Sequence, residues 1–206
     1  MVKRFLNLIG GCILSSFSIT CIIKAGLGCF AVTSANVAFS NWFLISIGTA
    51  GFLVEFIMMC LLLYFKEGIG VTGLVNMTLG SLMIDVFNSI LPSSPYLVLS
   101  LPLLGIAWSM MGKAGFGDTN SNLLTTAIMK KTGKKIGLIR GIQEIAFLLI
   151  GFLGSDQVTL FTLALSLGLG YMLQFIYRLV GYNPTEIQHQ YLIKSWGKLN
   201  EDKTRI

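Results

Sequence analysis

"KAGLG" at residues 24–28 closes the first apolar run of this chain, and "KAGFG" at residues 113–117 closes a later one. The two pentapeptides lie 89 residues apart, and the sequence laid over itself at that offset stays in register without a gap. Ile47-Gly48 falls on Ile136-Gly137, Glu55 on Glu144, and Asp85 on Gln174. In a chain with 23 glycines a five-residue echo carries little weight, but a glutamate recurring inside an apolar run carries far more. The chain therefore reads as two homologous membrane halves, residues 5–91 and 96–180, joined by "PSSP" at 92–95 and followed by a tail, 181–206.

Composition names the solvent. Of 206 residues 54% are apolar and only 12% charged, with a mean hydropathy of +0.77, which excludes an ordinary soluble domain. Apolar runs suited to crossing a bilayer, which takes about 20 residues per helix, occupy 5–23, 49–65, 71–91, 96–111, 137–153 and 158–180. Lys3 and Arg4 give the first run the look of a signal peptide. No small-residue cleavage site ends it, however, and "IGGC" before Cys12 has too short an apolar run ahead of it for a lipobox, so it stays as a first helix. The net charge of +6 collects beside the runs, as the positive-inside rule requires, and calls for no nucleic-acid partner. Cys12, Cys21, Cys29 and Cys60 form no C-x-x-C pair and are read as small packing residues; the single histidine, His189, lies in the tail. Neither a metal nor a cofactor is expected.

After each pentapeptide comes a segment too short to cross. In "DTNSNLLTTAIMKKTGKK" Asp118 suits an N-cap, Lys130 and Lys131 a helix C-terminus, and Gly133 the position after it. A helix of about 13 residues reaches roughly 20 Å, less than the ~30 Å hydrocarbon core, and so dips in or lies at the interface. Leu123, Leu124, Ala127 and Ile128 form its apolar face, and Ser121, Asn122 and Thr125 its polar one. The earlier equivalent, "CFAVTSANVAFSNW", carries Thr33, Asn36 and Ser40 as a similar stripe. Such stripes also suit plain hydrogen bonding between helices. The expected fold is an all-α polytopic membrane protein with six spanning helices and two short re-entrant or interfacial ones. If the short helices do not cross, the halves are inverted, residues 93 and 155 are external, and Lys24 is the one external cation of the loops. If they do cross, the halves are parallel and Lys24, Lys66 and Lys113 are all external. Either way both termini and "KKTGKK" are cytoplasmic; the inverted scheme places fewer cations outside.

The chain resembles the YczE/YyaS/YitT group of bacterial multi-pass membrane proteins. The resemblance rests on "IKAGLG", "SIG" with a glutamate seven residues beyond its glycine, "LMIDVF", "GKAGFGD", "KTGKKIGLIRGIQE" and "YMLQFIY", and covers nearly everything but the tail. It implies residence in a bacterial plasma membrane and, since members are described as uncharacterised or transport proteins, a small-molecule substrate. Group members often have Gly-Pro-x-Asp after the glycines, whereas this chain has Gly28-Cys29-Phe30-Ala31 and Gly117-Asp118-Thr119-Asn120.

Charged residues inside a span cost at least about 2.5 kcal/mol each, so their placement needs a reason. Glu144 has Arg140 one helical turn before it, a pair that either neutralises itself between helices or lines a cavity where Arg140 meets an anionic group. Glu55, whose equivalent neighbour is Gly51, has no such cation and is the candidate proton-coupling group. Asp85 and Gln174 would face the same cavity or bond to broken backbone. Lys24 and Lys113 either snorkel at helix ends or, beside the turns at Gly26, Gly28, Gly115 and Gly117, flank the N-terminus of a short helix as anion sites. Short helices in matching places of two halves point to a transporter's binding site. No P-loop, nucleophile elbow, HExxH or ATPase segment is present, so an enzyme is not expected. The expected function is secondary transport of a small metabolite, an anion among the candidates. The alternative is a non-transporting component, either a substrate-capturing subunit or a scaffold. The expected partners are the lipid bilayer, that solute and a second copy of the chain. Finally, Ile187, Tyr191, Leu192 and Trp196 beside Lys194 and Lys198 suggest an amphipathic helix on the cytoplasmic leaflet.

Overall fold

A computed structural model describes residues 1–181 and 191–193. Its helices are α1 (Val2–Ala25), α2 (Ala31–Phe43), α3 (Ile47–Tyr64), α4 (Val71–Ile90), α5 (Pro95–Ala114), α6 (Asn120–Thr132), α7 (Ile136–Gly154) and α8 (Leu160–Val180). Five of them, α1, α3, α4, α5 and α7, are long and apolar enough among the described residues to cross a membrane, which fits an all-α membrane protein. α3 exposes Leu53, Phe56 and Ile57, and α7 exposes Leu138, Ile142, Ile145 and Leu149. In water such continuous apolar faces would drive association; against lipid tails they are at rest.

The element boundaries follow the 89-residue offset. α2 starts at 31 and α6 at 120, α3 at 47 and α7 at 136, α4 at 71 and α8 at 160, while α1 ends at 25 and α5 at 114. The glycine turns match as well. Gly26 and Gly115 are left-handed C-caps with φ of 67° and 69°, and Gly28 and Gly117 have φ of 118° and 90°. Side chains rarely adopt such angles, so the two pentapeptides are the places where glycine is required.

Contacts between distant segments define the two ends of the bundle. At one end Arg4 donates to the carbonyls of Ala114 and Gly115, Thr72 N–H to Phe116 O, and Lys130 to Glu67. At the other, Ser94 N–H donates to Lys24 O, Cys29 N–H to Gln157 O, and Asn41 Nδ2 to Gly154 O. The chain before α6 and the end of α6 both touch the α3–α4 connection, and the chain before α2 and the end of α2 both touch the α7–α8 connection.

Packing is reciprocal. α1 lies along α5, while α2 lies on α7 and α6 on α3. The α2–α7 contact is close because a Cβ on Gly151 would fall 2.6 Å from Ser34 Cβ, and one on Gly154 2.7 Å from Ala38 Cβ. Small residues let helices approach where lipid supplies no hydrophobic drive between them. Leu124 and Ala127 of α6 bury against Val54, Met58 and Leu62 of α3, as their apolar face requires. One helix is irregular: Asn76–Gly80 of α4 forms a π turn. Ser16 Oγ of α1 lies 3.0 Å from both Gly80 O and Cys12 O, sharing its one proton between them, and Cys12 Sγ donates to Val75 O at 3.7 Å, so α1 meets carbonyls at both ends of that turn.

Three expectations are corrected. Thr119, not Asp118, is the N-cap of α6, and it makes no side-chain cap bond; Asp118 reaches forward to Asn122 instead. Cys60 is exposed on the outer face of α3, whereas Cys12, Cys21 and Cys29 are buried. In the tail, Tyr191–Ile193 is a strand (β2) paired antiparallel with Ile69–Gly70 (β1), so these three residues are extended rather than helical. A backbone edge left open by the α3–α4 connection offers them hydrogen bonds that an interfacial helix would not. Ile187, His189, Lys194, Trp196 and Lys198 lie outside the described residues.

Candidate functional site

Two polar clusters meet at the first turn of α6, which the glycine turn at 115–117 delivers into the bundle. The first is built around a buried carboxylate. Glu55, on the third turn of α3, accepts from Asn120 Nδ2 at 2.9 Å and from Asn76 Nδ2 at 3.4 Å. Asn120 is the first residue of α6 and wholly buried, and Asn76 opens the π turn. The carboxylate thus sits where the dipole of α6 favours negative charge. The anion place expected at a short-helix N-terminus is filled by the protein's own Glu55. Asn120 Oδ1 and Thr72 Oγ1 are buried without a hydrogen-bond partner. A Cβ on Gly73 would collide with Asn120 Oδ1, so that glycine leaves the room in which the amide sits.

The second cluster joins α6 to α7. Arg140 Nη2 pairs with Glu144 Oε1 at 3.0 Å, while its Nη1 donates to Asn122 Oδ1 at 3.0 Å and Ser121 Oγ at 3.3 Å. Asn122 Nδ2 in turn donates to Asp118 Oδ1 at 2.9 Å. Gln143 bridges Ser121 and Thr125 at 2.9 and 2.6 Å. Asp118, Asn122, Thr125, Thr126 and Arg140 line an open cleft of about 320 Å³. It presents a guanidinium and a carboxylate linked through one amide, which suits a small polar solute with complementary groups better than a simple anion, because Arg140 is already neutralised by Glu144.

The structure brings together Glu55, Asn122, Arg140 and Glu144 of the residues expected from sequence and separates the rest. Asp85 belongs to the other end, where its carboxylate takes Ser46 Oγ at 2.6 Å and Gly48 N–H at 2.7 Å and closes the N-terminus of α3. It bonds to helix-end backbone, not into a cavity with Glu55. Lys113 is no anion site either: its ammonium donates to Val180 O at 2.7 Å, the last carbonyl of α8, where a cation meets the negative end of the dipole. Lys24 is half-buried at the end of α1, with no hydrogen bond from its ammonium among the described residues. Asn36 faces Gly51, with Oδ1 buried and unpartnered, while Ser40 of the same stripe donates to Ile45 O at 2.6 Å. The side chain of Gln174 lies outside the described residues.

Asn76, Asn120 and Gln143 were not singled out from sequence. Asn120 was within reach, since it opens the polar run "NSN"; Asn76 faces Glu55 through a π turn that no residue pattern announces.

No curated protein and no solved structure matches the chain. A family model does match, over residues 2–178, and so spans α1 to α7 and all but the last two residues of α8. The chain belongs to that family, DUF6198, a family of unknown function.

Proposed function

We propose that this protein is a secondary carrier for a small polar solute, with six crossing helices and two re-entrant ones arranged as two inverted homologous halves and with both termini cytoplasmic. The observation that carries the reading is the half-length helix α6, whose first turn lies inside the bundle and bears residues of a charged cleft. Broken or short helices in matching places of two halves are how carriers expose backbone and polar side chains at membrane depth. The shared 89-residue offset of element boundaries supports two homologous halves, and support for their inversion comes from the contacts that tie both ends of each short helix to one end of the bundle. The sequence resemblance to the YczE/YyaS/YitT group points the same way. The cleft's paired charges, Asp118 and Arg140, favour a solute bearing both a donor or cationic group and an acceptor or anionic one.

The test is proteoliposomes of the purified chain, loaded with an isotope-labelled extract of small polar metabolites. One or a few solutes should leave faster than from protein-free vesicles, and Arg140→Gln or Asp118→Asn should slow that loss at least tenfold. Retention of every solute would overturn the carrier and leave the non-transporting component.

A further inference from the structure

We propose that Glu55 is a proton-binding carboxylate and that the first turn of α6 couples its protonation to the solute cleft, an inference that rests on the carrier reading. Three consecutive residues face two sites. Asn120 holds Glu55, whereas Ser121 and Asn122 hold Arg140, and Asn122 also holds Asp118. A change at Glu55 that moves Asn120 moves the cleft with it.

Among the described residues, Glu55 has amide partners, Asn76 and Asn120, and no ion pair with a charged side chain of the elements packed on α3. α2 carries none. On α4, Asp85 is engaged with Ser46 and Gly48. Ahead of α6, Asp118 is taken by Thr119 N–H and Asn122; on α6 itself, Lys130 pairs with Glu67, and Lys131 lies over the rings of Tyr64 and Phe65. Across the cleft Arg140 and Glu144 pair with each other. A carboxylate so enclosed is neutralised only by something that arrives from outside.

Its partners suit a proton. Asn76 and Asn120 are amides, able to donate to a carboxylate and, after half a turn, to accept from a carboxylic acid. Asn120 Oδ1 is buried and free for that second role. A metal cation would need a fuller shell of oxygens than Asn120 Oδ1, Thr72 Oγ1 and a carboxylate already accepting two amide N–H groups. In the step itself a hydronium ion from the aqueous phase gives up a proton, its O–H bond breaking to leave water as an O–H bond forms on Glu55 Oε2; the Asn120 amide turns so that Oδ1 accepts that bond, and nothing is oxidised or reduced. The turn removes the Asn120 N–H donor and the charge that the α6 dipole favours. Both changes loosen the first turn of α6 and its hold on Arg140.

Infrared difference spectroscopy of the full-length protein in lipid, titrated in potassium and in sodium buffers, tests this without any transported solute. A carboxylic-acid carbonyl band should grow as pH falls, equally in both buffers. It should vanish in Glu55→Gln and persist, shifted, in Glu55→Asp. Asn122→Ala should move its midpoint by about half a pH unit, roughly a threefold change in proton affinity, while Thr132→Ala at the far end of α6 should not. A band that survives Glu55→Gln, or no band in the parent, overturns the proton site. Displacement by sodium makes it a metal site instead, and an unmoved midpoint in Asn122→Ala removes the coupling. None of these outcomes depends on flux, so a carrier without transport and a Glu55 without a proton are separate failures.

Discussion

At Gly48 a Cβ would run into the carbonyl of Ser81 and fall 2.6 Å from Asp85 Cγ, because the carboxylate that closes α3 is seated directly on this glycine. Gly48→Ala should therefore destabilise the protein by about 1–3 kcal/mol, read as a lowered unfolding midpoint in detergent. Its counterpart Gly137 has nothing within 4 Å of a built Cβ, and Gly137→Ala should leave that midpoint unchanged or higher. The Arg140–Glu144 pair behaves differently from a sealed ion pair. Its side chains are 38% and 29% exposed, and Arg140 keeps Asn122 and Ser121 when Glu144 is neutralised, so Glu144→Gln should cost less than ~1 kcal/mol in a double-mutant cycle with Arg140→Gln. Glu55 was legible in the sequence because a lone carboxylate within an apolar run needs a reason. Lys113 was not, since the carbonyl it caps, Val180, is 67 residues away and no local pattern encodes it.

Elements were legible where glycine punctuates them. The left-handed turns at Gly26, Gly115 and Gly133 end α1, α5 and α6 where the sequence places those ends. The π turn of α4 was hidden because the side chains that meet its carbonyls, Ser16 and Cys12 against Gly80 and Val75, sit on α1 and not in the local sequence. Ser16→Ala should leave a carbonyl of that turn without this donor, cost about 1–3 kcal/mol, and shift the Glu55 carboxyl band, because Asn76 sits at the start of the same turn. An unchanged band in a folded Ser16→Ala protein would mean that α4 holds its π turn unaided. Tyr191–Ile193 was misread for a related reason. Apolar residues near helical spacing match a helix face on paper, but the open edge at Ile69–Gly70 is what Tyr191–Ile193 meets.

For the whole molecule, the reading of two halves came from one numerical offset, and helix length and the placement of cations favoured the inverted scheme over the parallel one by a small margin. Cysteine labelling of intact cells on a cysteine-free background separates the two. Ser93→Cys and Ser155→Cys should both react from outside. Reaction of Ser93→Cys only after permeabilisation, with Ser155→Cys reacting from outside, would make the halves parallel. The reciprocal packing has a further consequence. Because α2 rests on α7 and α6 on α3, each half of the chain supplies a piece that the other lacks. A polypeptide ending at residue 93 would leave α3 without α6, with only α2 and α4 against it, and one beginning at 94 would leave α7 without α2, with α6 still against it. Produced separately, both fragments should be degraded; produced together, they should recombine in the membrane into the intact molecule, the connecting peptide bond being dispensable to the interlocked whole.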